Sequence, residues 1–277
     1  MAGSLSPEAR AAYARDGILF PIRVMSAQDA SALLPKLERM EARDGGKLSR
    51  RTNQKPHLLA PFLSDLVRND TILNAVESVI GPDILVWGSG FFTKGVKDGA
   101  YISWHQDSTY WGLSEPDVIT AWVALTPSTV ESGCMQVIPG THTVDQVPHR
   151  DTFDEANLLT RGQEIAVEVD RSKAVNVVLQ PGEMSLHHVR LFHGSDENRS
   201  GGRRIGYAIR YIPTRLRQLG GVRTTATLVR GEDRYGHFDP EPIPTSEFAP
   251  EAVAFHAATI DRTNDVLYAG AAKKRTA

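Results

Sequence analysis

The sequence predicts a mainly β protein, a sandwich or barrel of short strands with helices packed in front. Two observations carry this. Helical periodicity is concentrated before Pro82, and after it come short apolar or alternating runs bounded by Gly, Pro, Asp and Ser. A string of such strands behind a helical segment fits a layered β architecture with flanking helices.

The elements follow in order. The alanine-rich segment from Pro7 to Arg15 is a helix that stops at the turn pair Asp16-Gly17. Ser26 is a good N-cap for a helix over 27–43, where Ala30, Leu33, Leu34, Leu37 and Met40 recur at helical spacing until Gly45-Gly46 ends it. A third helix is expected over 70–80, with Ile72, Leu73, Val76 and Ile80 on one face and Gly81-Pro82 closing it. Strands are expected over 84–94, 101–105, 118–125, 133–138, 165–169, 174–179, 183–186 and 204–212. The polar stretch 141–163 is too long for a tight turn and reads as a functional lid. Beyond Pro213 the pattern is mixed, with an irregular loop over 231–244 and one or two weak helices over 246–267. No repeat, low-complexity tract or linker divides the chain. The expectation is one domain over 1–277, with a helical part at about 1–82, a strand-rich core at about 83–213 and a tail over 214–277.

Composition narrows the class. The chain has 277 residues, 41% hydrophobic and 23% charged, which suits a globular protein with a sizeable core. The net charge of −2, with no long run of either sign, argues against nucleic acid or an anionic membrane surface as partner. A small-molecule substrate is the expected partner. The single cysteine, Cys134, excludes an internal disulfide and suits a reducing interior, so a cytoplasmic location is expected. Residues 1–15 hold no apolar run of the signal-peptide type, and no stretch approaches a membrane span in length.

One pattern carries chemistry. In His-x-Asp on a strand, residues i and i+2 project to the same face, so an imidazole and a carboxylate converge on one ion. The tripeptide is weak by itself, and the chain has it at His105-Gln106-Asp107, His149-Arg150-Asp151 and His237-Phe238-Asp239. The second lies in the polar stretch and the third in a Gly/Pro-rich tail, where surface loops often carry such pairs. The first ends an alternating strand among Tyr101, Trp104, Tyr110 and Trp111, and is followed several strands later by His193 in Leu-Phe-His-Gly-Ser.

Two histidines and one carboxylate form the facial triad of non-haem iron(II) oxygenases, which leaves adjacent coordination positions for a 2-oxo acid and dioxygen. The far carboxylate of 2-oxoglutarate then needs a cation, and the planar fork of arginine binds carboxylate through two parallel hydrogen bonds. Arg204 is the candidate, with Ser195 as a hydroxyl donor. On a regular strand Arg204 shares its face with Gly206 and Ala208, while Ile205, Tyr207, Ile209 and Tyr211 share the other. Small neighbours leave room for a cofactor on the arginine's face.

At these residues the chain resembles the phytanoyl-CoA dioxygenase family of 2-oxoglutarate oxygenases. The matching stretches are WHQDSTYW from Trp104, ITAWVAL from Ile119, SGCMQVIPGTH from Ser132 and LQPGEMSLHHVRLFHGSDENRS from Leu179, followed by Arg203-Arg204. The segment ARDGILFPIRVMS is similar to the family's opening, and together these span most of residues 10–213. The resemblance implies a double-stranded β-helix (jelly-roll) core. It implies iron(II) ligation by His105, Asp107 and His193, and 2-oxoglutarate binding by Arg204 and Ser195 with Trp122 lining that pocket. Arg204 is preferred to Arg203 because its distance from His193 matches the family's arginine. Lys94 and Thr120 are further candidate cofactor contacts. Halogenating relatives replace the carboxylate ligand by a small residue, so Asp107 implies hydroxylation rather than chlorination. Residues 143–162 and the tail after 214 match no function that carries over.

The remaining candidates have plainer readings beside the functional ones. His187 and His188 point to opposite faces of a strand, and a hydrogen-bonded core histidine is favoured over a group near the iron. His142 either orders the turn after Pro139 or touches substrate. Tyr101, Trp104, Tyr110 and Trp111 either pack the sheet or cradle a cationic ammonium group. Arg210 shares Arg204's parity and either meets an anionic substrate group or forms a structural ion pair. Cys134 reads as a small buried residue. The rival classes are a non-oxidative metal-binding jelly roll, such as an isomerase or ligand-binding module, and an oxygenase that desaturates or closes rings.

Overall fold

The computed structural model describes residues 4–275. Helix α1 (Pro7–Asp16) is capped by the Ser6 side chain, which accepts from the Ala9 N–H, and ends at Gly17 in the left-handed conformation. After strand β1 (Ile18–Arg23), the helix expected over 27–43 is divided into α2 (Ala27–Ala32) and α3 (Leu34–Arg43). Pro35 is the reason. It has no N–H to donate and its ring clashes with the carbonyl four residues back, so the chain restarts with proline in a first turn, where it is tolerated. Helices α4 (Pro61–Leu66) and α5 (Asp70–Ile80) follow, α5 with the expected bounds and the Asn69 side chain capping its first turn.

The strands are β2 (Ile84–Lys94), β3 (Ile102–His105), β4 (Ile119–Ala124), β5 (Met135–Ile138), β6 (His149–Asp151), β7 (Gln163–Ile165), β8 (Val175–Val177), β9 (Glu183–His188), β10 (Phe192–Ser195), β11 (Arg204–Pro213), β12 (Thr225–Arg230) and β13 (Asp239–Pro240), and α6 (Pro250–Leu267) closes the series. They form a seven-stranded sheet in the order β1-β9-β4-β11-β2-β12-β13, a four-stranded sheet β3-β10-β5-β8 and a ribbon β6-β7. Strands β1, β6, β10, β12 and β13 have no counterpart in the sequence reading: β1 contains Pro21, β6 and β13 are three and two residues long, β10 is four residues with Gly194 and Ser195, and β12 alternates Thr225 and Thr227 with apolar residues. The expected strand over 165–169 contributes only Ile165, to β7. The polar stretch holds the β6-β7 ribbon.

The larger sheet is buried on both faces. Its outer face packs Val86, Val123, Tyr207 and Tyr211 against Leu37, Leu63, Ile72 and Val76 of the helices. Its inner face meets the smaller sheet, where Trp122 and Ala208 share a core with Met135, Val137 and Val177. Two facing sheets with helices outside the larger one make a double-stranded β-helix with flanking helices. The tail joins this body, because Phe238, Leu267 and Tyr268 pack on Leu85 and Trp87 of β2. Farther in, buried Lys55 and His57 both reach the buried Glu241 carboxylate, which also accepts from Thr225 and Thr227.

Among the small residues on Arg204's face, Gly206 has a use beyond leaving open space. A Cβ on Gly206 would lie 1.8 Å from Cζ2 of Trp122, so the glycine admits the indole, and the indole in turn forms a wall beside Arg204. Gly206→Ala is therefore expected to cost about 1–3 kcal/mol through overpacking. Denaturant unfolding measures it, and unchanged stability would contradict the close seating of Trp122 on β11.

Candidate metal centre and co-substrate pocket

Strands β3 and β10 pair antiparallel with His193 opposite His105, which brings the two ring centroids to 4.0 Å. Asp107 lies beyond the strand, at the start of a 3-10 turn (Asp107–Tyr110), with its N–H donated to the Val189 carbonyl at 2.9 Å. The i and i+2 geometry expected for His-x-Asp is thus supplied by a strand end plus a turn. One ligand atom from each of His105, Asp107 and His193 falls within 4.8 Å of the others, and all three residues are buried. This is the only such group of three or more among the described residues.

The proton positions follow from the hydrogen bonds. Nδ1 of His105 is 2.8 Å from the Ser103 carbonyl, and Nδ1 of His193 is 2.9 Å from that of Leu191. A carbonyl only accepts, so each Nδ1 carries a proton, and Nε2 is the ring atom left to turn toward a metal. Burial alone would raise the Asp107 carboxyl, but contacts from His105 and His187 and the nearby His193 hold it well below its usual range. Burial, then the proximity of His105, push His193 well below the usual imidazole range. Two imidazole Nε2 atoms and one carboxylate converge, and this donor set fits a divalent iron site with open positions.

His187 is the residue that sequence reasoning undervalued. Its Nε2 is 3.8 Å from Asp107 Oδ2, its ring is 5.0 Å from that of His193, and its Nδ1 is buried with no partner. The only signal in the sequence was the strand parity of the His187-His188 pair. His188 faces the other way, with Nδ1 accepting from the Arg190 N–H at 3.1 Å.

The ligand group opens on a pocket lined also by Thr120, Trp122, His187, Ser195, Arg204 and Arg210. Arg204 is 1% exposed. Its Nη1 donates to the Gly133 carbonyl at 2.8 Å, while Nε and Nη2 have no partner. Burial lowers its pKa to about 10, which leaves it charged at neutral pH. A buried guanidinium with two idle donors is costly unless an anion completes it, and the far carboxylate of a 2-oxo acid has the matching fork. Thr120 Oγ1 is likewise unpartnered on the wall. Arg203 instead pairs with Glu41, which separates the two adjacent arginines.

Lys94 is one layer back. Its Nζ donates to Ser195 Oγ at 2.7 Å and to the carbonyls of Gly133 and Asp196, so it supports the pocket wall rather than lining it. Burial, then the charge of Arg204, lower its pKa to about 7. Gly133 sits at φ 68°, and a Cβ there would lie 2.2 Å from the Asp196 carbonyl, so glycine is required where these carbonyls converge.

Other candidates fall outside the pocket. His142 Nε2 is bonded to the Ala14 carbonyl at 3.1 Å, which ties the turn to α1 and removes it from substrate contact. The aromatic residues are already matched with the protein's own cations: Arg161 stacks on Tyr110 at 3.7 Å, Arg171 lies 5.8 Å over Trp104, and Arg210 lies 5.7 Å over Trp111. The Tyr110 hydroxyl is bound to Asp151. The second His-x-Asp pair therefore serves the ribbon, with His149 Nε2 accepting from the Gln106 N–H at 3.0 Å. In the third, Asp239 pairs with Arg223 and Arg262. Gln106, between the proposed ligands, bonds the Asp145 and Arg190 carbonyls and the Val147 N–H, anchoring the polar stretch beside the site.

Comparison with known proteins agrees with this geometry. The model of the phytanoyl-CoA dioxygenase family matches residues 13–206. The chain is 30% identical over 168 residues to a probable alpha-ketoglutarate-dependent hypophosphite dioxygenase of Stutzerimonas stutzeri, a match covering 58% of each protein. The match thus spans little more than half the length of that curated relative. Among solved structures, the non-heme monooxygenase ThoJ in its apo form superposes with a TM-score of 0.84 at 33% identity, covering 94% of this chain and 98% of that one. CytC3 with Fe(II) and alpha-ketoglutarate gives 0.65 at 26% identity over 88% of this chain and 100% of that one. A jelly roll carrying a buried His-Asp-His group, matched by the family model over most of its length, places the chain in the phytanoyl-CoA dioxygenase family.

Proposed function

We propose that the chain is an Fe(II)- and 2-oxoglutarate-dependent dioxygenase that hydroxylates a small organic metabolite and releases succinate and carbon dioxide. One observation carries the reading: a buried His-Asp-His donor set and an anion-seeking guanidinium line the same pocket. A non-oxidative metal-binding jelly roll has no use for a buried arginine aimed at a 2-oxo acid.

In this reading Nε2 of His105, Nε2 of His193 and a carboxylate oxygen of Asp107 hold the iron. Bound together, iron(II) and 2-oxoglutarate supply the oxidising power of dioxygen, with the 2-oxo acid consumed to give succinate. The protein's own part is positional. Arg204 and the Ser195 hydroxyl grip the far carboxylate, Lys94 orients Ser195, and Trp122 walls the cavity. His187 stands against the outer oxygen of Asp107 and fixes the carboxylate's orientation. Because Asp107 keeps a carboxylate in the ligand set, hydroxylation is favoured over chlorination. ThoJ, a non-heme monooxygenase by its description, supports oxygen insertion. The balanced charge and the lone buried Cys134 support a small-molecule enzyme in a reducing, cytoplasmic setting. No helix among the described residues is long and apolar enough to cross a membrane.

Anaerobic addition of iron(II) and 2-oxoglutarate is expected to give a weak visible charge-transfer band. Asp107→Ala should lower iron affinity by about a hundredfold or more, beyond what loss of a supporting hydrogen bond costs, and abolish succinate formation. Undiminished coupled turnover in that variant would defeat the ligand assignment. Arg204→Met should leave iron binding intact and weaken 2-oxoglutarate about 10- to 100-fold, the value of charge-assisted hydrogen bonds. Titration of the visible band measures it, and an unchanged midpoint removes Arg204 from the co-substrate site. Mass analysis of the product separates hydroxylation from desaturation or ring closure.

A further inference from the structure

Past Phe92 and Arg210 the proposed iron pocket adjoins a wider cavity, open to solvent, with about 1030 Å³ of empty space. Four arginines line it (Arg50, Arg51, Arg210 and Arg275), together with Asn264 and Tyr268, and no aspartate or glutamate does. Two of these cations are engaged elsewhere. Arg51 pairs with Asp261 at 2.8 Å, and Arg275 donates to the carbonyls of Asn157, Leu159 and Asp154. Arg50 and Arg210 have no hydrogen bond or salt bridge among the described residues, and Arg210 Nε is shielded from water without a partner.

Arg210 is nonetheless held in place. Its guanidinium lies 5.4 Å over the Phe92 ring and 5.7 Å over that of Trp111, contacts that suit a planar cation and leave its N–H groups free at the edge. It projects from β11 between Thr120 of β4 and Gly88 of β2, where the absence of a glycine side chain leaves open space. The acid whose charge reaches it is Asp107, already assigned to the metal. Arg204 already supplies a guanidinium for the co-substrate, and of the arginines lining either cavity Arg210 alone faces both.

We propose that Arg210, with Arg50 on the outer wall, is the anion subsite of the primary substrate, which is a small organic molecule carrying a carboxylate or phosphoryl group. The inference rests on the oxygenase reading and deepens it. Holding the oxyanion at Arg210 presents the rest of the molecule to His105 and Asp107, and the surplus positive charge disfavours ammonium-bearing compounds. An unpaired guanidinium is retained at a cost in stability that a ligand anion removes.

The test uses the full chain held anaerobically with saturating iron(II) and 2-oxoglutarate, so that Arg204 is occupied. Acetate, sulfate and the uncharged acetamide are titrated while the visible band and the melting temperature are followed. Acetate and sulfate are expected to perturb the band and raise the melting temperature, and acetamide to do neither. Arg210→Gln should weaken both anions by at least about tenfold, Arg210→Lys should retain part of the response, and Arg210→Gln without anion should melt no lower than wild type. Equal responses to acetate and acetamide overturn the proposal, as does a glutamine variant that binds acetate like wild type. A glutamine variant that loses the visible band assigns Arg210 to the co-substrate, and one that melts well below wild type assigns it to the fold; either result overturns the subsite. Failure of the wild-type protein to form the band defeats the oxygenase reading instead, and the melting temperature still reports whether anions bind at Arg210.

Discussion

Antiparallel pairing of β10 with β3 sets His193 against His105 across one ladder position, and the site depends on that register. A slip of β10 by one residue would turn His193 to the face opposite His105. The same short strands orient the rings, because Nδ1 of each histidine bonds the carbonyl two residues earlier in its own chain. Position, tautomer and ring angle thus come from backbone geometry. Asp107 completes the group from a turn that is itself tied to Val189.

Near this pair lie buried polar groups that the protein does not satisfy internally. Arg204, Thr120, His187 and Arg210 each keep at least one buried polar atom without a partner. Elsewhere the interior meets its charges closely, as where Glu241 draws Lys55, His57, Thr225 and Thr227 into one network. Buried polar groups are normally paired, so a cluster of idle donors beside a candidate metal centre marks places where ligand atoms belong. Two guanidinium groups six residues apart on β11 divide the space: Arg204 at the Gly133 end, Arg210 where the pocket meets the open cavity.

Much of this was legible in the chain. The helix over Asp70–Ile80, the long strand Ile84–Lys94 and the strand from Arg204 declare themselves because periodicity, caps and breakers agree. Strand β10 was not legible, although it carries His193, because four residues with glycine and serine are too few to display alternation. The ribbon β6-β7 hid for the same reason. Pro35 was visible and its breaking effect underweighted, since the apolar spacing runs on across it.

By itself the sequence determined the chemical inventory: one His-x-Asp among aromatic neighbours, a distant histidine and serine, and an arginine on a strand with small neighbours. Those are matters of residue type and local period, which the chain carries without folding. That His187 rather than His188 faces Asp107, that Lys94 stands behind Ser195, and that the rings near the site cover arginines already present were decided only in the tertiary structure. Each depends on contacts between residues far apart in the chain, and such contacts are set by sheet register and packing rather than by any local pattern.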